Sequence, residues 1–266
     1  MHDFNYHRPA TLPEAQGLVG GNDEAKLMAG GMTLLPTLKQ RLARYADVVD
    51  LGALPQLAGI SRDGDTVVIG AMTRHAVVAA SAEVKAAIPA LAVLAGGIGD
   101  PLVRNRGTIG GSIANNDPNA DYPAACLGLG ATIITNKRRI AADDFFQGMF
   151  TTALEEGEII VRISFPVAKK AAYEKFKHPA SGFALVGVFV SKRGPDIRVA
   201  VTGAGSNGVF RVKSFEEALA KRFSPKSIEG MTIPASGMNA DIHASPEYRA
   251  HLVAVLAKRA LAKATA

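Results

Sequence analysis

The sequence predicts an α+β fold built from two units. Its 266 residues are about 1.8 times the length of a typical ~150-residue domain, which allows one large unit or two modest ones. Strand and helix signals alternate as far as Pro166, whereas two consecutive β-rich segments precede the last helices. We place the boundary near residues 166–172, where Pro166 is followed by an Ala/Lys-rich stretch.

The first unit begins with a helix signal. Thr11-Leu12-Pro13-Glu14 has the spacing of a capping box with Pro in the first turn, so a helix is expected to run to about Val19. A second helix is predicted for 33–42, and residues 75–95 are predicted to be helical with a break at Pro89. Strands are predicted at 26–29, 48–51, 66–69, 125–135 and 159–165.

Residues 96–123 are rich in Gly, Pro, Asn and Asp, which predicts a loop. Apolar residues within the segment indicate that the loop is packed: Ile98, Leu102, Val103, Ile109 and Ile113. A long ordered loop inside a compact unit is usually functional.

The second unit begins with a predicted hairpin. Ala184–Val190 and Ile197–Thr202 are β-rich and flank the turn residues Lys192-Arg193-Gly194-Pro195. The spacing Ser214 to Glu217 predicts a capped helix as far as Lys221. Ser245-Pro246-Glu247 is expected to begin a final helix with one apolar face.

Composition excludes several classes of protein. Cys126 is the only cysteine, so a disulfide, a Cys-ligated zinc site and an iron–sulfur cluster within this chain are excluded. The six His residues lack metal-ligand spacing, so no metal site is expected. No apolar run approaches the ~18 residues of a membrane span, and with no signal-peptide pattern we expect a cytoplasmic protein.

The net charge of +6 has two interpretations that stay open. Lys and Arg are scattered and Trp is absent, which argues against a nucleic-acid partner. The charge therefore reflects either a general surface property or an anionic ligand or partner.

The first candidate site is the segment LMAGGMTLLP, residues 27–36, where a predicted strand enters Gly30-Gly31 and then a helix. Successive N–H groups at such a turn can form an anion site, which a side chain at the glycines would obstruct. An ordinary tight turn is the alternative.

The second candidate site is RNRGTIGGSIANNDPNADYP, residues 104–123. Its glycines permit close backbone approach, and its short polar side chains suit the phosphates and sugar hydroxyls of a ligand. The polar side chains are Thr108, Ser112, Asn115, Asn116 and Asp121. A turn-rich segment without a ligand is the alternative.

A third glycine segment, TGAGSNG (residues 202–208), contains the G-x-G-x-x-G pattern of dinucleotide-binding sites. That fingerprint requires a helix to follow at once, but Val209–Val212 reads as extended chain. We interpret the segment as a loop between strands.

Tyr173 and Lys177 are expected on one side of a strand because they are four residues apart. An aromatic ring and a cation on one face suit a redox-active ring that becomes anionic on reduction, although a half-buried edge strand would show the same pattern. Cys126 lies among apolar residues and is expected to be an inert buried thiol.

The two glycine motifs, in this order and about 80 residues apart, resemble those of the FAD-binding medium subunit of the molybdenum hydroxylases, the carbon monoxide and xanthine dehydrogenase family. The likeness covers essentially the whole chain. It implies a two-part FAD-binding domain of the vanillyl-alcohol oxidase/MurB type at 1–168, with lobes at about 1–52 and 53–168. A small α+β domain is implied at 169–266.

The resemblance also implies which residues bind FAD. The pyrophosphate would contact residues of the first motif, mostly through backbone N–H groups: Ala29, Gly30, Gly31, Met32, Thr33 and Leu34. The remaining phosphate and sugar would contact the second motif: Thr108, Gly110, Gly111, Ser112, Asn115 and Asp121. Ile160 would pass near the cofactor, and Tyr173 and Lys177 would approach the flavin ring. No catalytic residue is assigned.

The resemblance further implies partners. A large molybdopterin-binding subunit would oxidise the substrate, a small subunit with two 2Fe–2S clusters would relay electrons, and the FAD of this chain would pass them to NAD or a quinone. Two alternatives stay open: a stand-alone flavin-dependent reductase or oxidase of the same fold, and a non-redox nucleotide-binding protein.

Overall fold

A computed structural model describes residues 1–266 of the chain. The first lobe is a three-stranded parallel sheet with β3 in the middle, flanked by two short helices. Its elements are β1 (Asn5–His7), α1 (Leu12–Val19), β2 (Ala25–Met28), α2 (Leu34–Lys39) and β3 (Asp47–Asp50). The predicted cap of α1 is present, since Thr11 Oγ1 accepts the N–H of Glu14 at 3.3 Å.

The second lobe is a five-stranded antiparallel sheet in the order β4-β5-β10-β6-β7, packed against short helices. A separate two-stranded hairpin, β8–β9, precedes β10. The elements in chain order are β4 (Ile60–Asp63), β5 (Thr66–Gly70), α3 (His75–Ala80), α4 (Ala82–Ala87), α5 (Pro89–Gly96), α6 (Pro101–Arg106), α7 (Ile109–Asn115), α8 (Tyr122–Leu129), β6 (Thr132–Thr135), β7 (Arg139–Ala141), α9 (Ala142–Phe145), β8 (Phe146–Gly148), β9 (Thr151–Thr152) and β10 (Ile160–Pro166).

Several sequence predictions for this lobe are wrong in detail. The predicted strand at 125–135 is helix α8 followed by the short strand β6, because a buried apolar run has the same pattern in either element. The predicted loop at 96–123 contains helices α6 and α7, begun by the N-caps Asp100 and Thr108. Leu102, expected to be packed, is 75% exposed.

The third part is a four-stranded antiparallel sheet in sequential order with two helices on one face. Its elements are β11 (Lys170–Lys177), β12 (Ala184–Arg193), β13 (Asp196–Thr202), β14 (Phe210–Arg211), α10 (Lys213–Lys221) and α11 (Pro246–Thr265). The predicted Ser245 cap is present, whereas the predicted Ser214 cap is wrong because α10 begins at Lys213. No helix of the chain has both the length and the apolar character needed to span a bilayer.

Strand β12 joins the third part to the second lobe because both of its faces are buried. Val188 packs in the core beneath α11, whereas Phe189 packs in the core of the second lobe. Gly128 of α8 lies so close that a Cβ there would be 2.6 Å from the Phe189 ring. Ser191 Oγ also donates to the carbonyl of Gly128 at 2.5 Å. The third part and the second lobe therefore share one core.

Arg249 of α11 is a buried cation that holds the third part together. Its side chain is 2% exposed, and Nη1 donates to the carbonyls of Leu185 and Gly203 at 2.7 and 2.9 Å. Nη2 pairs with Asp241 at 2.6 Å. One guanidinium thus joins the helix, the start of β12 and two loops.

We expect Arg249→Met to lower the free energy of unfolding by at least about 2 kcal/mol, because two buried carbonyls lose a charged donor. Arg259→Met, an exposed position on the same helix, is the matched control and should change stability little. Urea unfolding of the two variants measures the difference. Equal unfolding midpoints would contradict the role of Arg249.

Candidate functional site

A cavity of about 900 Å³ lies between the first lobe and the second, and this volume falls within the usual range of ligand sites. The β2–α2 loop, helix α7, the segment before β10 and the β11–β12 loop all contribute to its lining. All the predicted site residues except Tyr173 and Lys177 line it: Ala29, Gly30, Gly31, Met32, Thr33, Leu34, Thr108, Gly110, Gly111, Ser112, Asn115, Asp121 and Ile160.

The β2–α2 loop presents unpaired backbone donors to this cavity. Gly31 has a φ of 73°, which turns the chain between Met28 and Leu34. The backbone N–H groups of residues 30–34 donate to no acceptor within the protein. Successive free N–H groups in a turn form a concavity that binds anions. The loop therefore has the donors that a phosphate or pyrophosphate requires.

The α7 motif contributes differently because its first N–H groups are already used. The N–H groups of Ile109 and Gly110 donate to the carbonyls of Thr73 and Ala71, at 3.1 and 2.8 Å. That of Gly111 donates to Thr108 Oγ1 at 3.1 Å. The Ser112 hydroxyl makes no hydrogen bond within the protein and remains available to a ligand.

The glycines of both motifs are required by contacts within the protein. A Cβ at Gly30 would lie 2.1 Å from the carbonyl oxygen of Arg106, and one at Gly110 would lie 2.5 Å from the Cβ of Ala71. A Cβ at Gly107 would lie 2.6 Å from the His75 ring. These contacts account for Gly30 and Gly110 without a ligand, and the expectation that the glycines also make room for a phosphate stays a prediction. They let the two loops touch each other and the sheet.

Asp121 at the start of α8 is the centre of a buried polar network. Its carboxylate accepts the Tyr173 hydroxyl at 2.5 Å and the Lys175 ammonium at 2.9 Å. Lys175 also donates to the carbonyls of Gly97 and Gly182, at 2.9 and 3.0 Å. Burial raises the pKa of Asp121, and the Lys175 charge opposes that rise. Burial likewise raises the pKa of Tyr173 well above its usual range, so its hydroxyl remains a donor.

The structure does not place Lys177 beside Tyr173 as the sequence spacing predicted. The pairing of β11 with β12 shifts register between Phe176 and Lys177, and Lys177 is exposed outside the cavity lining. Its charge still lowers the pKa of Asp121, so it lies near the site. Lys175 takes the buried position, and strict two-residue alternation from Tyr173 could have identified it.

Sequence reasoning also missed His75, which lines the cavity and is 5% exposed. Burial, assisted by the charge of Arg104, lowers the pKa of His75 to about 4, so the ring is neutral at pH 7. Its Nδ1 has no hydrogen-bond partner. A single His outside any spacing pattern gave no signal in the sequence.

The β8–β9 hairpin borders the cavity with strained backbone. Phe150 has a φ of 57°, which costs about 1–3 kcal/mol for a residue other than glycine. Asn116, expected to face a ligand, instead holds this hairpin. Its Nδ2 donates to the carbonyls of Gly148 and Thr151 at 2.7 and 2.8 Å, and its backbone carbonyl accepts the N–H of Phe150.

The third glycine segment is a loop between strands, as predicted, and it supports this hairpin. Residues 203–208 form turns between β13 and β14 and do not line the cavity. A Cβ at Gly208 would lie 3.7 Å from the backbone of Gly148. Thr202 Oγ1 also donates to the carbonyls of Pro118 and Ala120. The segment therefore contributes to the site only indirectly, through its contacts with the hairpin and with residues 118–120.

Cys126 is fully buried in α8, and burial raises its pKa above the usual thiol range. Asp143 of α9 has a structural role as well, because it pairs with Arg198 at 2.7 Å and with Arg211 at 3.0 Å. These pairs connect α9 to the third part.

Replacing Lys175 with Met should destabilise the protein by about 3–5 kcal/mol, since it leaves the buried Asp121 carboxylate without its positively charged partner. The pKa of Asp121 would rise further above its unfolded value. A carboxyl of this kind stabilises the fold below the unfolded pKa, and the contribution is lost as pH rises through the folded pKa. The variant should therefore lose more stability than the parent between about pH 5 and about pH 8.

Urea unfolding at both pH values checks this, with the exposed Lys170→Met on the same strand as the control. Adding Asp121→Asn to Lys175→Met should recover stability and flatten the pH dependence. Equal losses of stability in Lys175→Met and in the double variant would argue against a stabilising interaction between Lys175 and Asp121.

Comparison with known proteins agrees with this geometry. Residues 2–168 match the family described as the FAD binding domain in molybdopterin dehydrogenase. The carbon monoxide dehydrogenase medium chain of Hydrogenophaga pseudoflava is 37% identical, over 97% of this chain and 96% of that protein. The nicotine 6-hydroxylase medium subunit of Paenarthrobacter nicotinovorans is 34% identical, over 99% of this chain and 98% of that protein.

The solved structures of relatives show the same fold. A chain of reconstituted CO dehydrogenase from Oligotropha carboxidovorans superimposes with a TM-score of 0.88 at 31% identity, covering 99% of this chain and 98% of that chain. The match to the family extends over more than half of this chain, and the cavity carries the free N–H groups that a dinucleotide needs. The chain therefore belongs to the FAD-binding medium subunits of the carbon monoxide and xanthine dehydrogenase family of oxidoreductases.

Proposed function

We propose that this chain passes electrons through FAD between a partner subunit and an external acceptor. The observation that carries the proposal is the β2–α2 loop, whose N–H groups at residues 30–34 are free beside a cavity of about 900 Å³. These groups would hold the FAD pyrophosphate, and the Ser112 hydroxyl would bind the adjoining phosphate or sugar. When bound, FAD supplies the redox chemistry, while the protein orients it and sets its electrostatics.

Three acidic groups that line the cavity support electron transfer over a stand-alone oxidase or reductase. Such an enzyme needs a group poised to move a proton of its own substrate. Asp121 is paired with Lys175, and Asp117 accepts the N–H of Asn119 at 2.8 Å. Burial opposes ionisation of Glu158, but hydrogen bonds from Arg138 and Thr135 lower its pKa to about 2. These three carboxyl groups already have partners within the protein.

The partners are proposed from the relatives' names and from this chain's composition. Relatives are called medium chains or subunits, which supports an assembly with a larger and a smaller subunit. The only cysteine is buried, so this chain offers no thiolate for a metal cluster. Electrons would then come from a small subunit with two 2Fe–2S clusters, supplied in turn by a molybdopterin-binding large subunit. The external acceptor would be NAD or a quinone.

Tyr173 and Lys177 keep a proposed role at the flavin end. Tyr173 acts through Asp121, which lines the cavity, and Lys177 contributes positive charge from the exposed end of β11. Such charge would stabilise a reduced, anionic ring.

Ser112→Ala should weaken FAD binding about three- to tenfold, the effect of losing one hydrogen bond to a ligand, without lowering stability. Its hydroxyl makes no bond within the protein, so the fold loses nothing. Ser81→Ala is the matched control. Ser81 Oγ caps α4 outside the cavity, so this variant should lose stability and keep its FAD affinity. Flavin titration and thermal unfolding measure both quantities. Unchanged FAD affinity in Ser112→Ala would contradict the proposal that the Ser112 hydroxyl binds FAD.

Affinity purification of the tagged chain from its native host tests the electron route. We expect two further chains, with molybdenum and iron in the complex and one FAD for each copy of this chain. If NAD is the acceptor, NADH added without oxygen should reduce the flavin. If a quinone is the acceptor, an added quinone should reoxidise the reduced flavin. Purification of the chain alone, with steady turnover of a small molecule, would favour the stand-alone enzyme.

A further inference from the structure

Phe150 combines a strained backbone with an exposed ring. It is the one aromatic residue of the chain with a positive φ, and its side chain is 57% exposed. The ring belongs to none of the buried core clusters. Burial in the protein therefore does not offset the strained conformation. Phe150 does line the cavity that the FAD-binding motifs form.

The hairpin is held in this conformation from two sides. On one side, Asn116 makes three hydrogen bonds to it: its Nδ2 donates to the carbonyls of Gly148 and Thr151, and its backbone carbonyl accepts the N–H of Phe150 at 3.1 Å. On the other side, the loop containing Gly208 packs on Gly148. A fixed backbone keeps the ring at the cavity, which is what a binding contact needs.

Asn116 is itself buried, at 1% exposure, and also adopts a positive φ, of 45°. Asn tolerates this conformation better than most residues, whereas a bulky aromatic residue is an outlier there. Asn116 ends helix α7 in the left-handed conformation that Asn commonly adopts at a helix C-terminus, so Phe150 is the strained residue of the two, and Asn116 holds the hairpin that carries it.

We propose that Phe150 covers one of the flat rings of the bound FAD, either the isoalloxazine or the adenine, and that Asn116 positions it. Aromatic rings attract one another in offset or edge-to-face contact, and such a contact needs an exposed ring beside the ligand. The hydrogen bonds from Asn116 hold the strained backbone, and this keeps the ring at the cavity instead of letting it collapse onto the protein. This inference rests on the cofactor of the family and adds a residue that neither glycine motif contains.

Phe150→Gly provides the sharpest test because it relieves strain and removes the ring together. Glycine accepts a positive φ without cost, so the thermal unfolding temperature of the cofactor-free chain should stay equal or rise. FAD binding should weaken about three- to tenfold, the factor that corresponds to one aromatic contact. A residue that only supports the fold would move both quantities in the same direction.

Phe150→Tyr should keep the FAD affinity, and Phe150→Leu should lose it while retaining the strain. Met149→Ala is the matched control, because Met149 is 43% exposed on the same hairpin and does not line the cavity. Titration with FMN and with ADP identifies the ring: weaker FMN binding indicates the isoalloxazine, and weaker ADP binding indicates the adenine. Unchanged FAD affinity in Phe150→Gly, or a loss that Met149→Ala shares, would overturn the proposal.

Discussion

The contact between the Lys175 ammonium and the Asp121 carboxylate is the interaction on which the site depends. Both side chains are almost completely buried, at 4% and 3% exposure, so each charge has lost its water and requires the other. The remaining donors of Lys175 bind Gly97 after α5 and Gly182 in the β11–β12 loop. A strand of the third part thereby fixes three segments around the cavity. The shared core along β12 keeps that strand in register with α8.

The two glycine motifs differ in how their backbone N–H groups are used. The N–H groups of the first motif have no acceptor within the protein, whereas those that begin α7 bind the segment after β5 and the cap residue Thr108. Their glycines remove the side chains that would separate the loops. Anion binding and close packing are thus two separate functions, and the two motifs serve them with similar glycine-rich sequences.

The features that sequence could predict are those set by local chemistry. The caps Thr11 and Ser245 follow from side-chain hydrogen bonding within one turn, and the glycine motifs carried the resemblance and located the cavity. Local patterns did not separate α8 from a strand, because Tyr122–Leu129 is buried on every side and has no periodicity. The register shift at Lys177 and the strain at Phe150 are imposed by distant partners in β12 and by Asn116. No pattern within one segment contains that information.

The burial of Cys126 has a consequence for chemical durability. Oxidation of a cysteine begins from an accessible thiolate, and this thiol is fully enclosed in α8 with its pKa raised. The cavity lining contains three thioethers, those of Met28, Met32 and Met72, and no thiol, so an oxidant formed by a bound flavin would meet only methionine sulfur there. Oxidation of a methionine thioether to the sulfoxide is reversible. The only thiol of the chain, which could be oxidised beyond repair, is thus kept away from the cavity where the flavin would bind.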